Sequence, residues 1–386
     1  MKRLSHILLT GLALAFLSCT TDQPPGEKEE INVVQALSDT RETACYTKAE
    51  SVIDFQFPRD NGPHPDFRTE WWYYTGNLET PEGEHLGFQL TFFRQALACE
   101  TAPGPSPWRT RQLYFAHFAV THTTTNQFHA AVRMTRGSLG LAGAHPHRVW
   151  IDDWQARARG QDAPPSPIPN QAMVLTARDH TEDGRPFALE LTLEKPERII
   201  RQGNRGLSAK GPGQGNASYY YSLPRLKSRG WIQIGNKKMK VSGLTWFDHE
   251  WSTTALGKEV GGWDWFAAHL DDGRDLMVCR VRRADGSANG YGFGSLVSPR
   301  GKVKILTGGD FTLTPLAHWT SPATGTRYPS QWEIQLEKEG LELRVTPVIP
   351  NQEHRHSFAY WEGAVLLESL ESDGPSGRGY AELTGY

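Results

Sequence analysis

Asp248, His249 and Glu250 sit between Trp246, Phe247 and Trp251 in the segment Gly243-Leu-Thr-Trp-Phe-Asp-His-Glu-Trp-Ser252. Three ionisable side chains in an aromatic run are costly to bury, because apolar surroundings disfavour the charged forms. On an extended chain side chains alternate. His249 and Trp251 then share a face with Phe247, and Asp248 and Glu250 share the other with Trp246. A proton donor or acceptor beside an indole wall suits chemistry on an apolar, electron-rich substrate. The competing reading is a satisfied polar network that plugs one end of a β-barrel.

Two further runs repeat the pairing of carboxylate with aromatic. Thr69-Glu70-Trp71-Trp72-Tyr73-Tyr74 sets Glu70, Trp72 and Tyr74 against Trp71 and Tyr73, and in Trp263-Asp264-Trp265-Phe266 Asp264 shares a face with Phe266. Of the 13 Trp in 386 residues, six fall in these three runs. Large aromatics are usually core. Their repeated company with carboxylates points instead to an apolar ligand pocket holding a few polar groups.

The elements that must position these residues are strands. After the N-terminus, short alternating runs recur, such as Phe88–Phe92, Phe187–Leu193 and Leu341–Val345, and helical periodicity is almost absent. Hairpin turns are marked at Pro81-Glu-Gly83, Glu182-Asp-Gly184, Asp271-Asp-Gly273 and Ala284-Asp-Gly286. The pattern is all-β, as barrels or sandwiches. A boundary falls after Trp251, where the chain turns small and polar. The expected division is a signal over 1–18, a tether over 19–45, and domains over 46–251 and 252–386.

Lys2 and Arg3 precede an apolar run from Ile7 to Leu17 and then Ser18-Cys19. This reads as an export signal, too short to span a membrane. A small residue before Cys resembles the bacterial lipoprotein processing site, so Cys19 is the expected lipidation site and the cell envelope the expected location. An exported compartment permits disulfides. Cys45 and Cys99 are the candidates to pair, with Cys279 a buried thiol. A net charge of −2 argues against nucleic acid.

Other motifs fail. Lys210-Gly-Pro-Gly-Gln-Gly215 lacks the ending of a phosphate loop and reads as a plain surface loop, the alternative being a mobile loop over a pocket mouth. No Gly-x-Ser-x-Gly or His-Glu-x-x-His occurs, and no spacing suggests a metal site. His117 reads as a core histidine that can reach the pocket. Glu353 and His354 read as an exposed loop.

Several motifs together resemble the family of carotenoid 1,2-hydratases and AttH-like proteins. They include His64-Pro-Asp-Phe-Arg-Thr-Glu-Trp-Trp-Tyr-Tyr-Thr-Gly76, Tyr114-Phe-Ala-His117, Tyr219-Tyr-Tyr-Ser222, Trp246-Phe-Asp-His-Glu-Trp251 and Gly262-Trp-Asp-Trp265. The resemblance implies two lipocalin-like β-barrels with an apolar pocket. A His-x-Trp pair serves the site in the hydratases, and His249-Glu-Trp251 matches it. Asp264 is the candidate for the aspartate those enzymes use, by its place in the next aromatic run.

The resulting expectation is an envelope lipoprotein that binds an isoprenoid, polyene or acyl ligand and performs acid-initiated hydration or cyclisation without a cofactor. Asp264 or Asp248 supplies the proton, Trp251 and Trp265 stabilise a carbocation, and His249 handles water. Glu70, Trp72, Tyr74, Trp246, Trp265 and His117 line the pocket. Membrane contact runs through lipidated Cys19. The alternative is a non-catalytic lipid carrier or accessory lipoprotein serving an ABC-type exporter.

Overall fold

The computed structural model describes residues 43–100, 104–160, 165–254, 257, 259–355 and 359–386. The signal, Cys19 and the tether up to residue 42 lie outside them. Each expected hairpin turn carries a glycine, Gly83, Gly184, Gly273 and Gly286, at φ between 79° and 87°. That left-handed conformation is the one a short hairpin loop needs and one that glycine adopts without a Cβ clash. The four turns therefore fix the register of the strands beside them.

The first sheet begins with β1 (Thr69–Glu79), β2 (His85–Ala96), β3 (Gln112–His122), β4 (Gln127–Arg136), β5 (Ala142–His145), β6 (Arg148–Ile151) and β7 (Trp154–Ala158). It continues with β8 (Met173–His180), β9 (Pro186–Leu193), β10 (Ile200–Arg201), β11 (Leu207–Ala209), β12 (Ala217–Ile234) and β13 (Lys237–Ser252). The strand order is β4-β3-β2-β1-β13-β12-β9-β8-β7-β6-β5, with β10 and β11 on β12. Arg133 of β4 reaches across to Asp179 at 3.4 Å and lies over the Trp154 ring, 4.5 Å from its centroid. These contacts hold the β4 edge against β7 and β8, near the other edge, in a nearly closed barrel.

The second sheet contains β14 (Val260–Leu270), β15 (Asp275–Arg283), β16 (Phe293–Val297), β17 (Val303–Thr307) and β18 (Thr312–Thr320). It ends with β19 (Arg327–Leu336), β20 (Leu341–Pro347), β21 (Glu353–Arg355), β22 (Ala359–Ser369) and β23 (Gly377–Thr384). Its order, β17-β16-β15-β14-β23-β22-β20-β19-β18, curls into a half-barrel. The fold is all-β, two lipocalin-like units. The first sheet ends at Ser252 and the second begins at Val260.

Alternation gives each sheet an inner apolar face, and the two inner faces close separate cores. A third core lies between the sheets, built from Tyr73, Tyr220, Trp246, Trp265, Met277 and Cys279 among others. Polar bonds cross the same interface, from Asn77 Nδ2 to the Gly379 carbonyl at 3.0 Å and from Thr121 Oγ1 to Gln352 Oε1 at 2.7 Å. Cys45 and Cys99 form a disulfide, Cα atoms 5.8 Å apart, and Cys279 is a buried thiol. Two expectations are corrected. Lys210 is buried, although Pro212, Gly213 and Gln214 of the same segment are exposed as a surface loop should be, and Glu353 and His354 are buried, with Thr324 Oγ1 donating to Glu353 at 2.6 Å.

Candidate active site

β1 and β13 pair with Glu70 opposite Trp251, Trp72 opposite His249 and Tyr74 opposite Phe247. Cross-strand partners share a face, and this face points into the first barrel. There Glu70 Oε1 lies 2.7 Å from His64 Nδ1 and 2.9 Å from His249 Nε2. Arg94 Nε donates to Glu70 Oε2 at 2.9 Å. Trp251 stacks on His64 with ring centroids 3.7 Å apart and planes 4° from parallel.

The charges in this cluster balance one another. Burial alone would raise the Glu70 pKa, but His64 and Arg94 hold it below the usual carboxylate range. Burial likewise opposes a charge on His64, yet Glu70 and Asp60 outweigh it and raise that pKa. On His249 burial prevails over Glu70 and lowers the pKa, so the neutral ring donates through Nε2 to Glu70. The ligand atoms of His64, Glu70 and His249 lie within 4.8 Å of one another, close enough to hold a metal ion. Both imidazoles already hydrogen-bond the same carboxylate oxygen and a guanidinium holds the other. A cation there would have to break two of these bonds beside a positive charge.

The opposite face of the same two strands is turned to the second sheet. Trp71 and Tyr73 of β1, with Asp248 and Glu250 of β13, form one wall of a cavity of about 110 Å³. Trp263 and Trp265 of β14, Glu362 of β22 and Glu382 of β23 form the other. Trp71, Phe93, Phe115 and Trp263 line it while half-buried. Tyr73 and Trp265 meet edge to face across it, centroids 5.2 Å apart.

Burial raises three carboxyls in this chamber above their ordinary values. Burial pushes Asp248 up to about 7, against the pull of hydrogen bonds from Ser222, Trp246 and Tyr220. Ser222 Oγ donates at 2.5 Å, and the Trp246 Nε1 and Tyr220 Oη donors at 2.8 Å each. Burial pushes Glu382 up to about 8, with Asp248 and Glu250 adding repulsion and the Trp263 indole opposing. Glu362 lies directly opposite Glu382 across the β22–β23 ladder. Burial first and then the neighbouring Glu382 raise Glu362 well above its ordinary value. Two carboxylates paired across a ladder in an apolar cavity cannot both ionise cheaply.

Other polar groups brace the chamber. Glu362 accepts from Tyr73 Oη and from Gln89 Nε2, the latter at 2.6 Å. His117 Nδ1 lies 2.6 Å from Tyr360 Oη. Lys210 Nζ sits 3.1 Å from Glu250 Oε1 and 3.6 Å from the Phe293 ring centroid. That ion pair is spent internally.

A family model described as AttH-like matches residues 48–386 of the chain. The chain belongs to the AttH-like family. Among solved structures, it resembles the AttH-type protein of Nitrosomonas europaea at 34% identity and a TM-score of 0.76, covering 88% of this chain and 99% of that one. It also resembles kievitone hydratase of Nectria haematococca at 14% identity and a TM-score of 0.63, covering 89% and 96%. That second likeness is one of fold. Comparison with curated proteins returns no match.

In this AttH-like protein the expected site residues do not meet in one place. Asp248, Trp265 and His117 line the chamber, and Trp246 backs it by holding Asp248. Glu70, Trp72, Tyr74, His249 and Trp251 face the first barrel instead, in or beside the Glu70 cluster. The expected convergence of Asp264 with His249 and Trp251 is corrected. Asp264 faces the half-barrel core, where Arg280 Nη2 lies at 2.7 Å, Arg282 Nε at 3.2 Å and Tyr386 Oη at 2.6 Å. A carboxylate held by two guanidiniums is an ion-pair partner and not a proton donor.

Sequence reasoning missed Glu362, Glu382, Tyr73, Tyr360 and Lys210. The signal was present for two of them. Tyr360-Trp-Glu362 and Tyr380-Ala-Glu382 each put a carboxylate two residues after a tyrosine, the pairing on one strand face that marks the other runs.

Proposed function

We propose that this AttH-like protein binds an uncharged alkene or polyene in the chamber between its sheets and hydrates it by acid initiation. The observation that carries the reading is the opposed pair Glu362 and Glu382 beside Asp248, three carboxyls raised by burial in an aromatic cavity. Glu382 donates its proton to one alkene carbon, the π pair forming the new C–H bond and leaving a cation at the other carbon. Trp265 and Trp71 face that cation, each worth on the order of 2 kcal/mol when desolvated. Water adds to the cation, and Asp248, fixed by three donors, takes the proton water releases. Return of that proton to Glu382 closes the cycle. The relation to a hydratase of the same fold supports the reaction class.

Binding is tested by indole fluorescence. Retinol should quench it saturably, and Trp265→Ala should remove much of the quench and weaken binding. Absence of any saturable quench would end the chamber reading. Mass spectrometry of lipid extracted from protein of the native host should find a neutral isoprenoid or acyl species. The same measurement should show acyl mass on the Cys19 peptide, an anchor supported by the Lys2–Cys19 pattern; an unacylated Cys19 at the mature terminus would remove it.

A further inference from the structure

One cross-strand row runs out of the chamber. Trp71 pairs with Phe93, Phe93 with Phe115 and Phe115 with Met134, so all four side chains lie on the face turned to the second sheet. Phe93 and Phe115 stack at 4.5 Å. The first three are half-buried chamber lining, while Met134 is 50% exposed on the edge strand β4. Three strand spacings carry this apolar ladder roughly 14 Å from the chamber to the sheet edge.

The end of the sheet where the ladder emerges is unusually apolar for a surface. Leu97, Trp108 and Leu139 are each more than half exposed. The Leu97 amide bonds the Arg111 carbonyl, and the Gly137 amide bonds the Gln112 carbonyl, so these loops flank the start of β3 together. The charges on segments 97–100, 104–111 and 134–141 are Arg109, Arg111 and Arg136 against Glu100. Arg136 is exposed and shares the face of Met134, two residues away. Arg109 and Arg111 are half-buried and donate to the Gly104 and Cys99 carbonyls, so Arg136 is the exposed cation beside these indole and aliphatic groups. Exposed apolar groups on segments of net positive charge match the interfacial zone of a bilayer, where apolar groups enter below anionic headgroups.

We propose that this end of the first sheet docks on an anionic lipid bilayer, and that the Trp71–Phe93–Phe115–Met134 ladder passes apolar ligand between bilayer and chamber. The inference rests on the chamber being a ligand site. It commits to membrane because the ligand partitions there and because the excess charge is positive. The docking is separate from any anchor at Cys19.

The test uses the full chain carrying Cys19→Ser, which removes acylation. Met134→Cys is labelled with an environment-sensitive fluorophore, Cys279 being buried and Cys45–Cys99 disulfide-bonded. Leu316→Cys, 44% exposed on β18 of the second sheet, is the control. Vesicles of phosphatidylcholine with phosphatidylglycerol should blue-shift the Met134→Cys label and leave the Leu316→Cys label unchanged. Arg136→Gln should weaken this binding by roughly fivefold, and vesicles of phosphatidylcholine alone should bind less. No shift at Met134→Cys, or equal shifts at both sites, overturns the docking. An unchanged affinity in Arg136→Gln overturns the anionic surface as its occupant. Retinol quenching on the same samples separates the two readings. Quench without shift refutes the docking and leaves the chamber, whereas shift without quench refutes the chamber and with it the ladder's transfer role, leaving only the docking.

Discussion

Under the proposed hydration, Glu382→Gln is expected to cut turnover of an acyclic isoprenoid alkene by about 10²–10⁴-fold, the usual share of a general acid, while retinol still quenches the indoles. Glutamine keeps the shape and the Trp263 contact but has no acidic proton to give. A hydratase should therefore lose the product that gains a water and keep its ligand. Unchanged turnover would remove Glu382 from the chemistry; absence of turnover in both proteins would leave a carrier. The pH profile follows from the same groups. The base form of Asp248 appears as pH rises through about 7 and the acid form of Glu382 is lost through about 8. The rate should thus peak between those values and fall on both sides, with macroscopic midpoints that belong to the chamber as a unit.

The same substitution has a stability signature of opposite sense. Both carboxyls have folded values above their ordinary 3.8 and 4.5. The native state then binds more protons than the unfolded chain between those values and about 7 to 8. Their contribution to stability is full at acid pH and is lost as pH rises through the folded values. Glu382→Gln removes that loss. Urea denaturation above neutrality should find it as stable as the parent or more so, and below the ordinary carboxylate range nearly equal. Raised stability joined to lost turnover is what a strained catalytic acid produces.

The alternation of Trp246 to Trp251 was legible in the sequence, and the structure keeps both faces as alternation sorts them. What periodicity cannot show is which face meets a second sheet. His249 and Trp251 look as suited to a pocket as Asp248 does, because a strand carries no mark of what lies opposite. Asp264 shows the same limit across a ladder. Its neighbours along the chain are aromatic, whereas its partner Arg280 stands opposite on β15, set by a register that the turn at Asp271-Asp-Gly273 fixes. Glu362 and Glu382 acquire their meaning only from facing each other. The paired lipocalin-like fold was readable because turn glycines and motif order are local. The chamber was not, being made from β1, β13, β14, β22 and β23 at once.

Arg94→Leu is expected to destabilise the protein by about 3–5 kcal/mol, the cost of leaving a buried charge without its partner. Arg94 is 2% exposed and donates to Glu70 Oε2, to Gln112 Oε1 at 2.9 Å, and to the carbonyls of His64 and Phe67 at 2.8 and 2.9 Å. A leucine meets none of these acceptors. Lysine restores charge but not the fork, so Arg94→Lys should recover only part of the loss. Arg94→Leu combined with Glu70→Gln should be less unstable than Arg94→Leu alone, because no uncompensated carboxylate remains. Sign follows charge here too. Glu70 contributes above its ordinary 4.5 and loses that as pH falls through its lowered folded value, whereas His64 contributes below its ordinary 6.5 and loses that as pH rises through its raised one. The clamp is therefore firmest between 4.5 and 6.5, and the gap between parent and Arg94→Leu should be widest there. A denaturation midpoint unmoved by Arg94→Leu would mean that the cluster plugs the barrel without holding it, and the stability of the first sheet would then rest on its apolar core alone.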